Sequence, residues 1–473
     1  MSEKSRLVKN TGLIAIGNFG AKMVSFLLLP LYTSILTTSE YGTYDFIVAI
    51  SAFLLPVVTM SMHEAMFRFI IDTGNKGKAF RKIISNSLIA VLFGIAVLGI
   101  IMYVIHMVCG QNINLLYIWI YVAASSLYTF SNNMLRGLGK IKEYAIISSG
   151  KNILQLILNV LVVAVFRWGM QGLLFSLCVS ELLSFIIVAS FSKLWKYVRL
   201  RYISREQLGT MLKYSCPLIP NALCAQIINI SDRLIISGWM GTAANGVYSV
   251  SYKFPNIVET IYHYFYTAWS ESASRVFAKG KEKATQYYQS LYDLINNLIF
   301  SIILLMTAGM PILFRLFIKG DYIQGFYCVP MLLFAMYFDC IAKFYSGMFT
   351  ALKKTKILAT STIIAAIFNL VINVLLINKI GLYAAAGSTL VAEIILVIFR
   401  KKFISKDIEI KMNYKRLIVE IILTALIIVL YNYDNWIRIG ISIGVAGIYT
   451  IIINKNIIDS IFNKVLGKLK KSN

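Results

Sequence analysis

Four cations stand where a chain this apolar has least reason to keep them. Lys22, Arg233, Lys253 and Lys343 each lie well inside a long apolar run. An ionisable group at such a depth is a functional candidate by default. Polar residues recur around them at steps of three and four, the spacing that gathers side chains on one helical face. Ser249, Lys253, Asn256, Thr260, His263 and Thr267 form one stripe, and Gln226, Asn229, Arg233 and Ser237 another. Thr11, Asn18, Lys22 and Ser25 form a third. Asp339, Lys343, Ser346 and Thr350 make a fourth, and Ser148, Asn152, Gln155 and Asn159 a fifth. Such stripes face other helices or water, not lipid. A guanidinium presents a planar fork suited to phosphate oxygens, and an ammonium a point charge. The expectation is an anion-binding cavity lined by Lys22, Arg233, Lys253 and Lys343, with Asn18, Asn229 and Asn256. The competing explanation is interhelical hydrogen bonding and pairing with buried acids, Asp339 lying one turn from Lys343. Asp45, Glu64, Asp232, Glu259 and Asp339 are candidate carriers of a coupling ion, against the alternative that each is half of a structural ion pair. Lys151 lies nearer a span end, from which it can snorkel.

These residues need helices that cross a bilayer. The chain has 473 residues, is 58% hydrophobic and only 14% charged, with mean hydropathy +0.72. About fourteen apolar runs of roughly 18–30 residues follow one another, each near the length that spans hydrocarbon. They fall at 11–36, 42–70, 83–109, 115–135, 143–166, 170–192, 209–239, 244–274, 287–314, 325–350, 357–378, 382–399, 416–431 and 437–454. They are too long for barrel strands and lack period-two alternation, so an all-α polytopic membrane protein is predicted. With the first segment inside, 36 of the 46 Lys and Arg fall in cytoplasmic segments. Only Arg167, Arg315, Lys319, Lys379 and Arg438 fall outside. That bias sets orientation and puts both termini in the cytoplasm. The net charge of +25 is then met by anionic lipid, and no soluble segment is large enough to hold nucleic acid. The first apolar run follows a basic start but has no small-residue cleavage site, so it reads as a retained helix. Six cysteines and three histidines show no metal-ligand spacing.

The sequence repeats itself. Gly137-Leu138-Gly139-Lys140-Ile141-Lys142 and Leu158-Asn159-Val160-Leu161 match Ala351-Leu352-Lys353-Lys354-Thr355-Lys356 and Ile372-Asn373-Val374-Leu375 at an offset of 214. After a two-residue gap, Gly169, Gly172, Ser176 and Glu181 match Gly381, Ala384, Ser388 and Glu393 at an offset of 212. Gly42 and Tyr44 match Gly246 and Tyr248 at an offset of 204. A shift of six spans keeps orientation, so two parallel-repeat six-helix lobes are expected. They occupy 1–195 and 196–405, with two accessory spans and a basic tail at 406–473. The equivalence of Glu181 and Glu393 favours a structural role for both. Pro30, Pro217, Pro220 and Pro255 are expected to bend their helices.

No phosphate-binding glycine loop, zinc-protease motif or Asp-x-Asp occurs, and no outer loop is large enough for a catalytic domain. A transporter rather than an enzyme is expected, without a cofactor, driven by a Na+ or H+ gradient or the membrane potential. The chain resembles the polysaccharide flippases, the O-antigen-type or Wzx-like family. Its superfamily also holds drug exporters of the MATE type and lipid II flippases. The resemblance rests on Asn10-Thr11 with Asn18, Pro30-Leu31-Tyr32, and Ser39-Glu40-Tyr41-Gly42-Thr43-Tyr44. It continues in Ile230-Ser231-Asp232-Arg233-Leu234-Ile235, Asn245-Gly246-Val247-Tyr248-Ser249 and Gly381-Leu382-x-Ala384-Ala385-Ala386. It implies a MATE-like fold and a lipid-linked oligosaccharide on polyprenyl pyrophosphate, flipped across a bacterial plasma membrane by alternating access. Its partners would be membrane lipids and other polysaccharide-assembly membrane proteins. The competing function is ion-coupled export of drugs or small molecules, which would favour a more acidic cavity than these cations suggest.

Overall fold

The computed structural model describes residues 26–73, 77–110, 113–411, 413–455 and 459. They form an all-α protein of sixteen helices joined by short turns. Nine of its helical stretches are long and apolar enough to cross a membrane. The chain packs as two compact units, Met1–Gly246 and Val247–Asn473.

In the first unit lie α1 (Leu29–Ile35), α2 (Thr38–Val58), α3 (Met62–Thr73), α4 (Gly77–Cys109) and α5 (Ile113–Gly137). They are followed by α6 (Ile141–Asn159), α7 (Gly169–Ser192), α8 (Arg205–Ser215), α9 (Leu218–Met240) and the first turn of α10 (Thr242–Phe277). The second unit continues α10 and adds α11 (Lys281–Phe317), α12 (Val329–Ala351), α13 (Thr355–Ile380), α14 (Leu382–Ile404), α15 (Tyr414–Leu430) and α16 (Trp436–Ile453). Four of the expected spans form helices that fall outside the nine. Of these, α5, α9 and α10 carry more polar side chains, and α15 has 17 residues. The run 11–36 lies largely outside the described residues.

Local chemistry sets the helix ends. Thr37 and Glu40 close a reciprocal cap at the start of α2, the Thr37 hydroxyl accepting from the Glu40 N–H and the Glu40 carboxylate from the Thr37 N–H. Asn413 and Asn435 cap α15 and α16 through their side-chain oxygens. Pro30 and Pro330 sit in first turns, where the missing N–H costs nothing.

Four of the expected spans described throughout are not continuous α-helices: 325–350 opens in a 3₁₀ stretch, Gly320–Cys328, before α12, and three others change along their length. The run 42–70 breaks between α2 and α3, where Met60 and Ser61 hold φ of 48° and 46°. The Ser61 N–H reaches back to Pro56 O and the Met60 N–H to Val57 O. That is the pattern by which a left-handed residue ends a helix, here without glycine. The run 209–239 breaks at Pro217, which precedes α9. The run 143–166 widens after α6 into a π-helical turn, Val160–Val165. Pro255, by contrast, lies inside an uninterrupted α10.

Each unit has its own core. In the first, α3, α4, α5 and α8 converge on Met66, Ile84, Val91, Phe130, Met134 and Met211, all closed to solvent. In the second, Trp269 of α10 stacks on Phe344 of α12 at 4.5 Å and gives its indole N–H to Phe344 O. The carboxylate of Glu420 pins the last two helices to α11, accepting from Asn296 Nδ2 at 3.2 Å and Tyr449 OH at 3.1 Å.

The first turn of α10 crosses the start of α2 in a reciprocal way. A methyl carbon on Gly42 would sit 1.7 Å from Thr242 O, and one on Gly246 would sit 2.0 Å from Thr38 O. Each glycine thus meets the residue that the offset of 204 makes equivalent to the other's contact. Asn245 Nδ2 donates to Gly42 O at 2.9 Å, and the Ser39 and Thr242 hydroxyls lie 2.9 Å apart. Backbone meets backbone here, and only glycine permits it. Gly42→Ala is expected to force the helices apart at a cost of about 1–3 kcal/mol or more, lowering the thermal midpoint of detergent-purified protein. A Ser39→Ala change, which removes only a half-exposed hydroxyl contact, should move that midpoint far less.

Candidate functional site

The predicted site residues fall into separate settings, and the structure gives two of the mid-span cations, Arg233 and Lys343, carboxylate partners. In the first unit, Arg233 projects from α9 toward α2, and its Nε donates to Asp45 Oδ2 at 2.6 Å. Both side chains are largely buried, at 15% and 12% exposure. Asp232, the adjacent residue, is also buried. Glu64 is half-exposed on α3, with His63 Nε2 at 3.8 Å. Asn18 and Lys22 lie outside the described residues, as does the Asn229 side chain.

A second polar cluster in this unit has Lys151 at its centre. Its ammonium meets Glu181 Oε1 at 2.8 Å and lies 4.5 Å from the centre of the Tyr128 ring. Asn132 Nδ2 donates to both Tyr128 OH and Ser148 Oγ at 3.1 Å. Lys151 therefore turns inward to a buried carboxylate instead of reaching for the membrane surface.

In the second unit, Lys343 of α12 stands between two acids. Its Nζ donates to Asp339 Oδ2 at 2.6 Å and to Glu259 Oε1, on α10, at 3.2 Å. Two carboxylates around one ammonium make this cluster negative rather than positive when all three are ionised. Lys253 and Asn256 lie half-buried further up α10. Part of the α10 stripe is satisfied within its own helix, since the Thr260 and Thr267 hydroxyls donate to Asn256 O and His263 O.

Arg400 belongs to this neighbourhood too, although the sequence pattern did not single it out. α14 continues past residue 399 and carries it into the protein, where 6% of it remains exposed. Its guanidinium donates to Ser346 Oγ at 2.7 Å, Ala342 O at 3.0 Å, Ser361 Oγ and Thr362 Oγ1 at 3.1 Å. Glu393 is buried two turns earlier on the same helix. The seven-residue spacing of Glu393 and Arg400 was the sequence signal for a shared inward face. Ser346 and Thr362 correspond, at the offset of 214, to Asn132 and Ser148. In the first unit these positions bond each other and the Tyr128 hydroxyl, whereas in the second they accept from Arg400.

The second unit also contains an apolar cavity of about 580 Å³. Phe338, Ile341, Leu390, Ile394, Leu417 and Ile428 line much of it, and Glu420 is its one charged wall residue.

The polysaccharide biosynthesis protein family matches residues 7–270, more than half of the chain. The chain belongs to that family. It is a multi-pass membrane protein. Two uncharacterized membrane proteins of Methanocaldococcus jannaschii are each 21% identical to it. One alignment covers 82% of this chain and 95% of the relative, and the other 95% and 94%. Among solved structures, the lipid II flippase MurJ in an inward closed conformation superposes with a TM-score of 0.74. That match has 16% identity and covers 94% of this chain and 99% of the other. An inward-facing multidrug resistance MATE family transporter of the MOP superfamily gives a TM-score of 0.58. It has 16% identity over 81% of this chain and 98% of its own. The fold of this family member is therefore MurJ- and MATE-like.

Breaking one side of a buried pair leaves an uncompensated charge, at a cost of about 3–5 kcal/mol. Arg233→Leu is expected to show that loss as a lower thermal midpoint. Arg233→Leu combined with Asp45→Leu should recover most of it, because neither member of the pair is then left without the other. A single variant as stable as the parent would mean that the pair does not hold α9 to α2.

Proposed function

We propose that this protein moves a polyprenyl-pyrophosphate-linked oligosaccharide from the inner to the outer leaflet of a plasma membrane, for assembly of a capsule, O-antigen or related glycan. The observation that carries the reading is membership of the polysaccharide biosynthesis family over residues 7–270. The likeness to a lipid II flippase over 94% of the chain is in keeping with it. In this reading the membrane is bacterial, fourteen helices cross it and both termini are cytoplasmic. Two parallel six-helix lobes, 1–195 and 196–405, alternate access, and 406–473 adds two accessory helices. Other membrane proteins of glycan assembly are its partners.

The ion pairs shape the mechanism. Arg233 and Lys343 have carboxylate counter-ions, so a pyrophosphate binds by exchange. It takes over the cation from Asp45, or from Asp339 and Glu259, and the released carboxylate accepts a proton or Na+. The substrate's charge is neutralised during passage, which lowers the cost of carrying a dianion through a low-dielectric slab. Lys22 and Lys253, with Asn18, Asn229 and Asn256, are the further groups proposed to contact the head group. Asp232 and Glu64 are further acids through which an ion gradient can act. The apolar cavity beside α15 has the chemistry to accept hydrocarbon.

The second reading, ion-coupled export of a drug or other small molecule, is favoured by one observation. The Glu259–Lys343–Asp339 cluster has two acids to one base, which suits a cationic cargo. The readings separate in proteoliposomes loaded with a fluorescent polyprenyl-pyrophosphate oligosaccharide or with a cationic dye. Replacing Lys22, Arg233, Lys253 or Lys343 singly with Ala is expected to cut glycolipid flipping about tenfold or more, the loss of a charge-assisted contact. Undiminished flipping in all four variants would remove the anion-exchange mechanism. Dye transport without glycolipid transport would install the second reading.

A further inference from the structure

A basic turn between α7 and α8 carries a charge arrangement that the transport mechanism does not use. No acidic residue occurs between Glu181 and Glu206, whereas Lys193, Lys196, Arg199, Arg201 and Arg205 fall within that stretch. The turn is nevertheless firmly held. Leu194 is buried in the core of the first unit, and Tyr197 meets Phe80 edge-on at 5.0 Å. Ser85 on α4 gives its hydroxyl to Tyr197 O and accepts from the Arg199 N–H, both at 3.2 Å. Asn86 Nδ2 donates to Tyr202 O at 3.3 Å, and Asn86 Oδ1 accepts from the Ser204 N–H at 3.1 Å.

This strapping brings two guanidiniums onto one oxygen. Arg81 on α4 donates to Tyr202 OH at 2.9 Å, and Arg201 donates to the same oxygen at 3.0 Å. Both also lie over the Tyr202 ring, at 5.7 Å and 4.9 Å from its centre. Among the described residues, neither guanidinium has a carboxylate partner. The two donors pull the Tyr202 hydroxyl below the ordinary tyrosine pKa, which registers the local demand for negative charge. Each guanidinium keeps further N–H donors that the phenol oxygen does not occupy. Beside them, Trp195 is 60% exposed and Leu200 82% exposed. An exposed indole and leucine among cations is the composition that settles at the headgroup level of a bilayer.

We propose that Arg81 and Arg201 clamp the phosphodiester of an anionic phospholipid headgroup, while Trp195 and Leu200 enter the interface beside it. Charge complementarity selects this occupant, since the cytoplasmic leaflet supplies anionic headgroups at this depth. The lipid is a resident of the surface, distinct from the transported glycolipid, and the inference does not depend on what the protein transports.

The test is lipid retention by the full chain, read by native mass spectrometry after exchange into detergent with added phosphatidylglycerol or phosphatidylcholine. The parent is expected to retain phosphatidylglycerol and to release phosphatidylcholine. Arg81→Gln with Arg201→Gln should weaken phosphatidylglycerol retention about 30-fold, as expected for two lost interfacial cations. Its thermal midpoint is measured alongside. If that variant misfolds, Trp195→Ser with Leu200→Ser, both at exposed positions, replaces it and should also reduce retention. Equal retention by parent and correctly folded variant overturns the proposal. So does displacement by millimolar inorganic phosphate, which would mark a site for the free anion instead of a lipid.

Discussion

A charge inside hydrocarbon is tolerated when its opposite is held at contact distance, and this constraint organises the interior of both units. Arg233 meets Asp45, Lys151 meets Glu181, and Lys343 meets Asp339 and Glu259. Each pair joins different helices, apart from the Lys343–Asp339 contact, which is one turn long. The pairs therefore do two things at once. They neutralise charge where solvation is poor, and they fix which face of each helix turns inward. The proposed flippase role draws on both properties, because a binding group must be present before the cargo arrives yet must not repel the fold that carries it. In that proposal, pairing makes a cation available only to a ligand that competes successfully with a carboxylate, as a diphosphate head would.

Local chemistry made much of this legible in advance. The helices follow from apolar runs, and the Lys343–Asp339 contact follows from a spacing of four. The Arg233–Asp45 contact joins residues 188 apart in the chain. Its partners meet through the register of α9 on α2, which no local pattern encodes. Arg400 was counted only as one of a run of cations, which hid its packing. It lies two turns beyond Glu393 and follows it inward. The break at Met60 and Ser61 was hidden because neither glycine nor proline occupies the left-handed positions. The closest signal, Pro56, stays inside α2.

Duplication is visible in the sequence, but its physical use is not. Gly42 and Gly246 align as equivalents, and only the coordinates reveal that they face each other's helices. A contact of this kind has its own near-symmetry, since the same short motif serves as both surfaces. The polar clusters follow a looser rule. Asn132 and Ser148 in one unit become Ser346 and Thr362 in the other, and the cation moves from Lys151 to Arg400. What is preserved is a pair of small polar side chains near a cation; they bond Arg400 directly in the second unit, while Lys151 in the first meets Glu181 and the Tyr128 ring.

The π-helical turn at Val160–Val165 bears on that history. The two copies differ in length by two residues between their matched segments, as the change of offset from 214 to 212 records. The shorter copy runs as an unbroken α-helix through Thr355–Ile380, while the longer one swells at this turn and then reverses through Arg167, at φ of 55°. A wider coil stores surplus chain without rotating what lies on either side of it. An ancestral indel could thus be accommodated near the end of the helix while Lys151 and Glu181 kept their appointment.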